Sequence, residues 1–353
     1  MKKQSIIFAF LFVLLMPACR PDPLAEMVSQ MSLRDKVAQT IVPQHYNPDI
    51  DSLVAVDHIG GVIVMVSTKA EVDTLLPRLQ AESQIPLFTS IDAEWGASMR
   101  MWDDFPRHPK AGEIAKSPNP DSLAYEVGRA AALELRSMGI YANFAPVVDV
   151  NTNPLNPVIG VRSFGDDPQT VSDLASQYAR GLHSAGVAAC AKHFPGHGDT
   201  SVDSHKALPV ILHDRARLDS VEFPPFRRLI AEGVEMVMVG HLSVPALDST
   251  GVPASISKPV YDFVRDSLGF EGVLVTDGMN MKGLTSMFGG SDIPGCVLAY
   301  LAGADMIITP IHCHEIINQI VEKVEAGEYP IEEVDKKAYR VLKLKQKLGI
   351  IQN

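Results

Sequence analysis

The chain has 353 residues, of which 46% are hydrophobic and 21% are charged, and its formal net charge at pH 7 is −11. This length and composition are typical of a globular protein that buries a large core, either as one α/β barrel or as two ordinary domains. An acidic surface repels the phosphate backbone, so nucleic acid is excluded as an expected partner.

The first 18 residues differ from the rest of the chain. Lys2 and Lys3 precede an apolar run over 6–16 that is too short to span a bilayer and ends at Pro17-Ala18-Cys19. The pattern predicts a secretory signal peptide over 1–18. It resembles bacterial lipoproteins, which implies a lipid on Cys19, a tether over 19–24 and a membrane-anchored place in the cell envelope, at the periplasmic or outer-membrane face. The alternative, an uncleaved anchor, also leaves the domain outside the cytoplasm.

The cysteines give no disulfide framework. Besides Cys19 the chain has Cys190, Cys296 and Cys313, and an odd number leaves at least one thiol unpaired. Cys190 lies two residues before Lys192 in a predicted strand, so both side chains face the same way and Cys190 is expected to be a buried interior thiol.

Apolar strand-like runs alternate with helical segments along the whole chain past the signal. Strict alternation favours parallel pairing, and eight repeats suit a single-domain (β/α)8 barrel over 25–353 better than an open doubly wound sheet. No G-x-G-x-x-G turn follows an early strand to indicate a dinucleotide fold. The predicted strands are 37–42, 61–66, 86–91, 141–148, 187–192, 236–240, 273–276 and 304–309. The predicted helices are 72–81, 121–137, 168–184, 220–232, 258–267 and 294–302.

Two further segments complete the predicted barrel. The charged segment 331–347 is predicted to be a final helix that packs outside the barrel. The stretch 151–167 is rich in Asn, Pro and Gly, which suits a domain linker. Because it falls between the fourth strand and the next helix, it is predicted to be a long loop on the active face.

Polar residues follow several strands, and in a barrel these positions converge on one mouth. They are Asp92, Glu94, Asp149, Lys192, His193, His241 and Asp277. Asp277 ends a strand in which Val273 and Val275 share its face, so its carboxylate is a candidate nucleophile or general base. The alternative is a buried aspartate that caps the following segment.

A second candidate is Asp203-Ser204-His205. The i, i+2 spacing aligns the two ionisable side chains on extended chain, where the carboxylate favours the charged imidazole. His205 is therefore a candidate general acid near neutral pH, and the alternative is an exposed loop histidine without a role.

Metal binding is the competing interpretation of this histidine-rich segment. His193, His197, Asp199, Asp203 and His205 are ligand types that zinc accepts, but their spacing matches no compact zinc motif and Lys192 repels a cation. The segment 312–314 is interpreted as an exposed polar loop. No metal and no cofactor are expected.

Five blocks of sequence together resemble glycoside hydrolase family 3, and specifically its bacterial β-N-acetylglucosaminidases. The blocks are KHFPGHGDT at 192–200, DSH at 203–205, NFAPVVDV at 143–150, NPVIGVRSFG at 156–165 and VTDGMNM at 275–281. The likeness runs over about residues 25–350, and the 192–205 segment is its most specific part.

The resemblance implies a role for nine residues. It makes Asp277 the nucleophile and the Asp203–His205 pair the acid/base, whereas most glycosidases use two carboxyl groups. It also implies that six residues contact the sugar or line its pocket: Asp92, Arg162, Lys192, His193, His241 and Met281.

The third-strand motif of the family usually reads Ile-Asp-Gln-Glu-Gly-Gly, and here Ala93 and Trp95 depart from it. A tryptophan at the mouth alters the wall or offers a stacking surface. Family β-glucosidases usually draw their acid from a second domain. This chain stops after its final helix, so an acid from a barrel loop is expected, which favours the N-acetylglucosaminidase branch.

The resemblance therefore implies an exo-acting, retaining enzyme that removes terminal β-linked N-acetylglucosamine from peptidoglycan fragments or chitooligosaccharides. Two alternatives stay open. One is a β-glucosidase, another exo-glycosidase or an N-acetylglucosamine phosphorylase of the same family. The other is a lipid-tethered glycan-binding protein that has lost catalysis.

Overall fold

The computed structural model describes residues 22–202 and 208–352. Within them, short strands alternate with helices as the sequence predicts. The strands are β1 (Ile41–Val42), β2 (Gly61–Val64), β3 (Phe88–Ile91), β4 (Ala142–Asn143), β5 (Cys190–Phe194), β6 (Met236–Val239), β7 (Val273–Thr276) and β8 (Ile307–Ile308).

The helices lie before β1, between the strands and after β8. They are α1 (Pro23–Gln30), α2 (Leu33–Ala38), α3 (Ile50–Ala55), α4 (Lys69–Glu82), α5 (Ala111–Ile114), α6 (Pro120–Arg136), α7 (Pro168–Ser184), α8 (Arg215–Arg217), α9 (Phe223–Ala231), α10 (Lys258–Asp262), α11 (Lys282–Thr285), α12 (Ile293–Ala302), α13 (Cys313–Glu325) and α14 (Ile331–Lys347). Among the described residues, no helix is both long and apolar enough to cross a bilayer.

The strands pair in parallel and in chain order. β2, β3 and β4 form one ladder, β5, β6 and β7 form another, and β8 pairs with β1. Three sets of single bridges join these groups: Gln44 with Ile63, Ala142 with Ala188, and Val275 with Met306. Each strand is thus linked to the next and the last to the first, which confirms the predicted α/β class with parallel pairing.

The first predicted strand, 37–42, is wrong over its first four residues. Val37 and Ala38 lie in α2, which begins after Ser32, whose hydroxyl accepts a hydrogen bond from the Asp35 amide. A short apolar run does not distinguish a buried strand from a buried helix face, and the capping serine decides in favour of the helix. Only Ile41 and Val42 pair as a strand.

The core has two main layers. Alternate strand residues such as Phe88, Met236 and Val275 form an inner cluster between the strands, and a larger cluster fills the space between strands and helices. Cys190 belongs to the inner cluster, as predicted, and all three described cysteines are buried and unpaired.

Helix α14 does more than pack outside the strands. Its Val341 and Leu344 contact the inner cluster, so the helix covers one end of the ring of strands. Lys347 pairs with Glu235 at 2.7 Å, and the Lys337 ammonium donates to a backbone carbonyl at 2.7 Å. The predicted helix over 331–347 is confirmed, and apolar residues spaced along it give it the face that covers this end.

Lys345 in α14 makes stability depend on pH. Its side chain is fully buried and donates to Gln39 Oε1 at 2.6 Å, and burial lowers its pKa from 10.5 to about 7. Between those two pKa values the unfolded chain binds more protons than the folded chain, so folding stability rises with pH. Relative to Lys345→Met, the wild-type free energy of unfolding is expected to rise by up to about 1.4 kcal/mol per pH unit from about pH 7 to 10. Urea unfolding of both proteins across that range checks this, and parallel curves would contradict it.

Candidate functional site

A cavity of about 300 Å³ lies where β3, β5 and β7 end. Four of the six predicted sugar-contacting residues line it together with Asp277, which is the predicted nucleophile. The lining residues are Asp92, Glu94, Trp95, Met99, Arg100, Val158, Arg162, Lys192, His193, His197, Met238 and Asp277. Convergence of strand-end residues on one cavity is confirmed for these positions.

A network of alternating charges forms one wall of the cavity. The Lys192 ammonium lies 2.8 Å from both Asp92 Oδ1 and Glu94 Oε1. Arg162 binds both oxygens of Glu94, at 2.7 and 2.9 Å, and Arg100 contacts Asp92 Oδ2 at 3.1 Å. Each carboxylate therefore has two cationic partners, which holds all five side chains in a fixed arrangement.

These partners set the charge states. Burial alone would raise the pKa values of Asp92 and Glu94. The positive charges of Lys192 and Arg100 outweigh burial and lower the Asp92 pKa, and those of Lys192 and Arg162 hold the Glu94 pKa far below its usual range. Burial would lower the Lys192 pKa, and the two carboxylates reverse that effect and raise it. The network is therefore fully ionised at neutral pH.

Two residues of this network, Glu94 and Arg100, are not among the site residues predicted from the sequence. Glu94 belongs to the strand-end acids seen in the sequence, and its buried bidentate pair with Arg162 is what gives it a place in the site. Arg100 follows β3 by nine residues and reaches back to both the carboxylate and the backbone carbonyl of Asp92. No motif in the sequence indicates that the chain turns back to bring Arg100 against Asp92.

His193 is held by Asp149, which is fully buried. The His193 Nδ1 atom lies 2.8 Å from Asp149 Oδ2, and Arg162 Nη2 lies 3.4 Å from Nε2. The other Asp149 oxygen accepts the backbone amide of His197 at 2.6 Å. These partners favour a proton on Nδ1 and leave Nε2 toward the cavity side of the ring.

The loop after β5 rests on the loop after β4. Asn156 donates to the His197 carbonyl at 2.8 Å, and Asn153 donates to the Thr200 carbonyl at 3.0 Å. A Cβ on Gly198 would lie 1.9 Å from the Val150 carbonyl oxygen, so only glycine allows this approach. The prediction that 151–167 lies on the active face is confirmed, since Val158 and Arg162 line the cavity. Asp203 and His205 lie outside the described residues, as does Cys19.

Asp277 directly follows β7 and is half-buried in the cavity. Its backbone amide donates to the Val239 carbonyl at 2.9 Å, and its Oδ1 accepts the Gly278 amide at 2.7 Å. Burial would raise its pKa, but nearby His193 and His241 outweigh it, and the pKa falls to about 2. The carboxylate is thus an anion at neutral pH, as a nucleophile requires.

His241 and Met281 are not among the residues that line the cavity. His241 is fully buried, with Nδ1 2.7 Å from Ser255 Oγ and Nε2 2.9 Å from the Gly278 carbonyl oxygen. Met281 precedes α11, and its sulfur would lie 3.4 Å from a Cβ on Gly278. Both residues therefore support the turn after Asp277.

The described residues contain no group of three or more His, Cys, Asp or Glu side chains able to hold a metal ion. Described histidines of the two histidine-rich segments have other partners, and His197 Nδ1 lies 2.7 Å from Thr200 Oγ1. His193 contacts Asp149, His312 contacts Asp292 at 2.5 Å, and His314 contacts Asp57.

The family profile described as "Glycosyl hydrolase family 3 N terminal domain" matches residues 32–344. The chain belongs to glycosyl hydrolase family 3. This confirms the resemblance found in the sequence.

Curated relatives and solved structures of family 3 are similar to this chain over most of its length. Beta-hexosaminidase A of Pseudoalteromonas piscicida is 34% identical over 353 aligned residues, covering 89% of this chain and 57% of the relative. Beta-hexosaminidase LpqI of Mycobacterium tuberculosis is 35% identical over 328 residues, covering 89% of this chain and 83% of the relative. A family 3 β-N-acetylglucosaminidase structure from Paenibacillus superposes with a TM-score of 0.84 at 37% identity, covering 92% of this chain and 64% of that one.

The chain thus spans little more than half of the first relative and most of the second. This chain and the Paenibacillus structure share a mixed α/β fold over the part in which they superpose. The cavity described above lies within the matched residues 32–344.

Proposed function

We propose that this chain is an exo-acting, retaining β-N-acetylglucosaminidase whose nucleophile is Asp277. The observation that carries the proposal is an ionised Asp277 carboxylate in a cavity that is also lined by four ion-paired side chains. They are Asp92, Glu94, Lys192 and Arg162. The names of the relatives, which include two beta-hexosaminidases, support a substrate with terminal β-linked N-acetylglucosamine.

The charge network suits recognition of sugar hydroxyls. A hydroxyl both donates and accepts hydrogen bonds, so it can bridge a carboxylate such as Asp92 and a cation such as Lys192 or Arg162 without disturbing their pairing. The fixed arrangement places these groups before substrate arrives, which lowers the entropic cost of binding. His193, held by Asp149, offers Nε2 to the same sugar.

In the proposed reaction, Asp277 attacks the anomeric carbon and a glycosyl ester forms on its carboxylate while the bond to the leaving oxygen breaks. His205, oriented by Asp203, gives its proton to that oxygen. Water then gives a proton back to His205 and attacks the same carbon, which releases N-acetylglucosamine with its β configuration retained. These two residues lie outside the described part of the chain, and their roles rest on the sequence resemblance.

The architecture and location are also part of the proposal. We infer that the parallel pairings linking β1 to β8 in order close a (β/α)8 barrel over a single catalytic domain, residues 25–353. We propose that residues 1–18 are a signal peptide and that Cys19 carries a lipid, so the enzyme faces peptidoglycan fragments in the cell envelope. Chitooligosaccharides are the second substrate class.

A direct test compares aryl β-N-acetylglucosaminide with aryl β-glucoside, since the two differ in the 2-acetamido group. Turnover of the first at least about tenfold faster supports the proposal; the reverse preference identifies a β-glucosidase. Binding without turnover of either identifies a glycan-binding protein. Formation of sugar 1-phosphate in phosphate buffer identifies a phosphorylase, since an imidazole acid does not repel phosphate as a second carboxylate would.

The assigned acid predicts a dependence on the leaving group. His205→Ala is expected to slow hydrolysis of chitobiose by about 100-fold or more and of 4-nitrophenyl N-acetylglucosaminide much less, because nitrophenolate leaves without a proton. Steady-state kcat/KM on both substrates measures this. An equal loss on the two substrates would argue that His205 is not the acid.

A further inference from the structure

Four apolar side chains line the cavity beside the charged network: Trp95, Met99, Val158 and Met238. We propose that Trp95 is a specificity-determining residue that packs against the leaving-group sugar and makes the enzyme prefer saccharide leaving groups. This inference rests on the proposed function and assigns a part of the substrate to a residue of this chain.

The indole of Trp95 has one face covered. The Lys110 ammonium lies over the ring, 4.7 Å from its centroid, and Lys110 immediately precedes α5. Trp95 itself is half-buried and lines the cavity, so the ring lies between a cation on one side and the cavity on the other. The attraction between the ammonium and the ring fixes the plane of the indole.

The backbone beside Trp95 is equally fixed. Gly96 has a φ of +90°, and a Cβ there would lie 2.5 Å from the His108 ring. His108 in turn contacts Glu134 at 2.7 Å, and Glu134 accepts the Ala97 amide at 2.8 Å. A residue in such a turn presents its ring in one position, which is what a binding platform needs.

The chemistry of the charged lining residues and of Trp95 assigns them to different parts of the substrate. Asp92, Lys192 and Arg162 lie with Asp277 around the reacting sugar and meet its hydroxyls. Trp95 carries a flat apolar surface, and a pyranose presents a flat patch of C–H groups that matches it. Because Lys110 borders Trp95 and is itself partly exposed, the ring lies toward the outer end of the cavity, where the leaving group exits.

Kinetics with two substrates test this assignment. Chitobiose has a sugar leaving group, whereas N-acetyl-β-glucosaminyl fluoride has a single atom. In Trp95→Ala, kcat/KM for chitobiose is expected to fall about tenfold or more while that for the fluoride changes less than about threefold. Trp95→Phe should recover part of the loss. Equal losses on both substrates would overturn the proposal, because they would indicate a contact with the reacting sugar or a purely structural role.

Trp102 provides the matched control. It is 58% exposed and is not among the residues that line the cavity. Trp102→Ala is expected to leave both substrates unaffected, and thermal unfolding of each variant establishes that it folds. A loss in Trp102→Ala equal to that in Trp95→Ala would also overturn the assignment.

Fluorescence separates this inference from the proposed function, because the chain has only two tryptophans. In Trp102→Phe/Asp277→Asn, Trp95 is the single emitter and substrate is not consumed. Chitobiose is expected to change its emission with saturation, and N-acetylglucosamine alone to change it much less. No response to chitobiose overturns the platform even if the wild type hydrolyses chitobiose. A saturable response in a protein without hydrolase activity supports the platform and rejects the proposed function.

Discussion

Replacement of Asp277 by alanine is expected to lower kcat for 4-nitrophenyl N-acetylglucosaminide by at least about 10⁴-fold, the scale of loss when a covalent nucleophile is removed. The carboxylate that forms the glycosyl ester is gone, and no other acid of the cavity is free to replace it, because Asp92 and Glu94 each hold two cations. The fold should persist, since within residues 22–202 and 208–352 the Asp277 side chain accepts a hydrogen bond only from the adjacent Gly278 amide.

Azide rescue distinguishes a nucleophile from a merely structural aspartate. In Asp277→Ala, azide can enter the vacated space and attack the anomeric carbon once, so the product should be α-N-acetylglucosaminyl azide. Asp219→Ala is the matched control, because Asp219 pairs with arginines outside the cavity, and its activity should be unchanged. A β-azide, or no rescue with near-normal activity, would show that Asp277 is not the nucleophile.

The low pKa of Asp277 limits which groups can produce the acidic limb of the pH profile. Because its pKa is about 2, the carboxylate is ionised throughout the range in which the protein would be assayed. An acidic limb of kcat/KM above about pH 4 must therefore come from another group.

The order of strands was predictable because each strand is a short apolar run bounded by turn residues. Strand lengths were not, since the run over 141–148 pairs as a strand only at Ala142–Asn143. Pro146 has no N–H to donate, so the regular ladder is interrupted there, and beyond it a single bridge joins Val147 to Lys192. Val37 likewise lies in a helix because Ser32, five residues earlier, caps the start of α2.

The candidate site was predictable where a residue lies directly at a strand end. Asp92 and Asp277 directly follow β3 and β7 and reach the cavity for that reason. Lys192 and His193 lie within β5, at the point where its pairing with β6 shifts register. Contacts that form because the chain turns back on itself were not predictable. An example is the hydrogen bond that the Arg100 guanidinium donates to the Asp92 carbonyl after the intervening turn. His241 follows β6 and still does not line the cavity, because Ser255 and the Gly278 carbonyl hold its ring.

Lys192→Met is expected to destabilise the protein by about 3 kcal/mol and to reduce kcat/KM by about 100-fold or more. The ammonium is shared by two carboxylates, and its side chain is only 3% exposed. Its removal leaves Asp92 with Arg100 and Glu94 with Arg162, so each acid keeps one cation of two. Lys69→Met, which breaks an exposed pair within α4, is the control and should leave stability nearly unchanged.

The pH dependence of this destabilisation carries the sharper test. In the wild type, the pKa values of Asp92 and Glu94 are lowered, so their ionised forms stabilise the fold above their unfolded pKa values and this contribution is lost as the pH falls. In Lys192→Met, each of the two carboxylates has lost one cation, so burial raises their pKa values and the ionised forms stabilise the fold less. The gap in unfolding free energy between the two proteins should therefore be largest near neutral pH and narrow as the pH approaches about 4. A gap that stays constant over that range would mean that Lys192 contributes through packing and not through its charge.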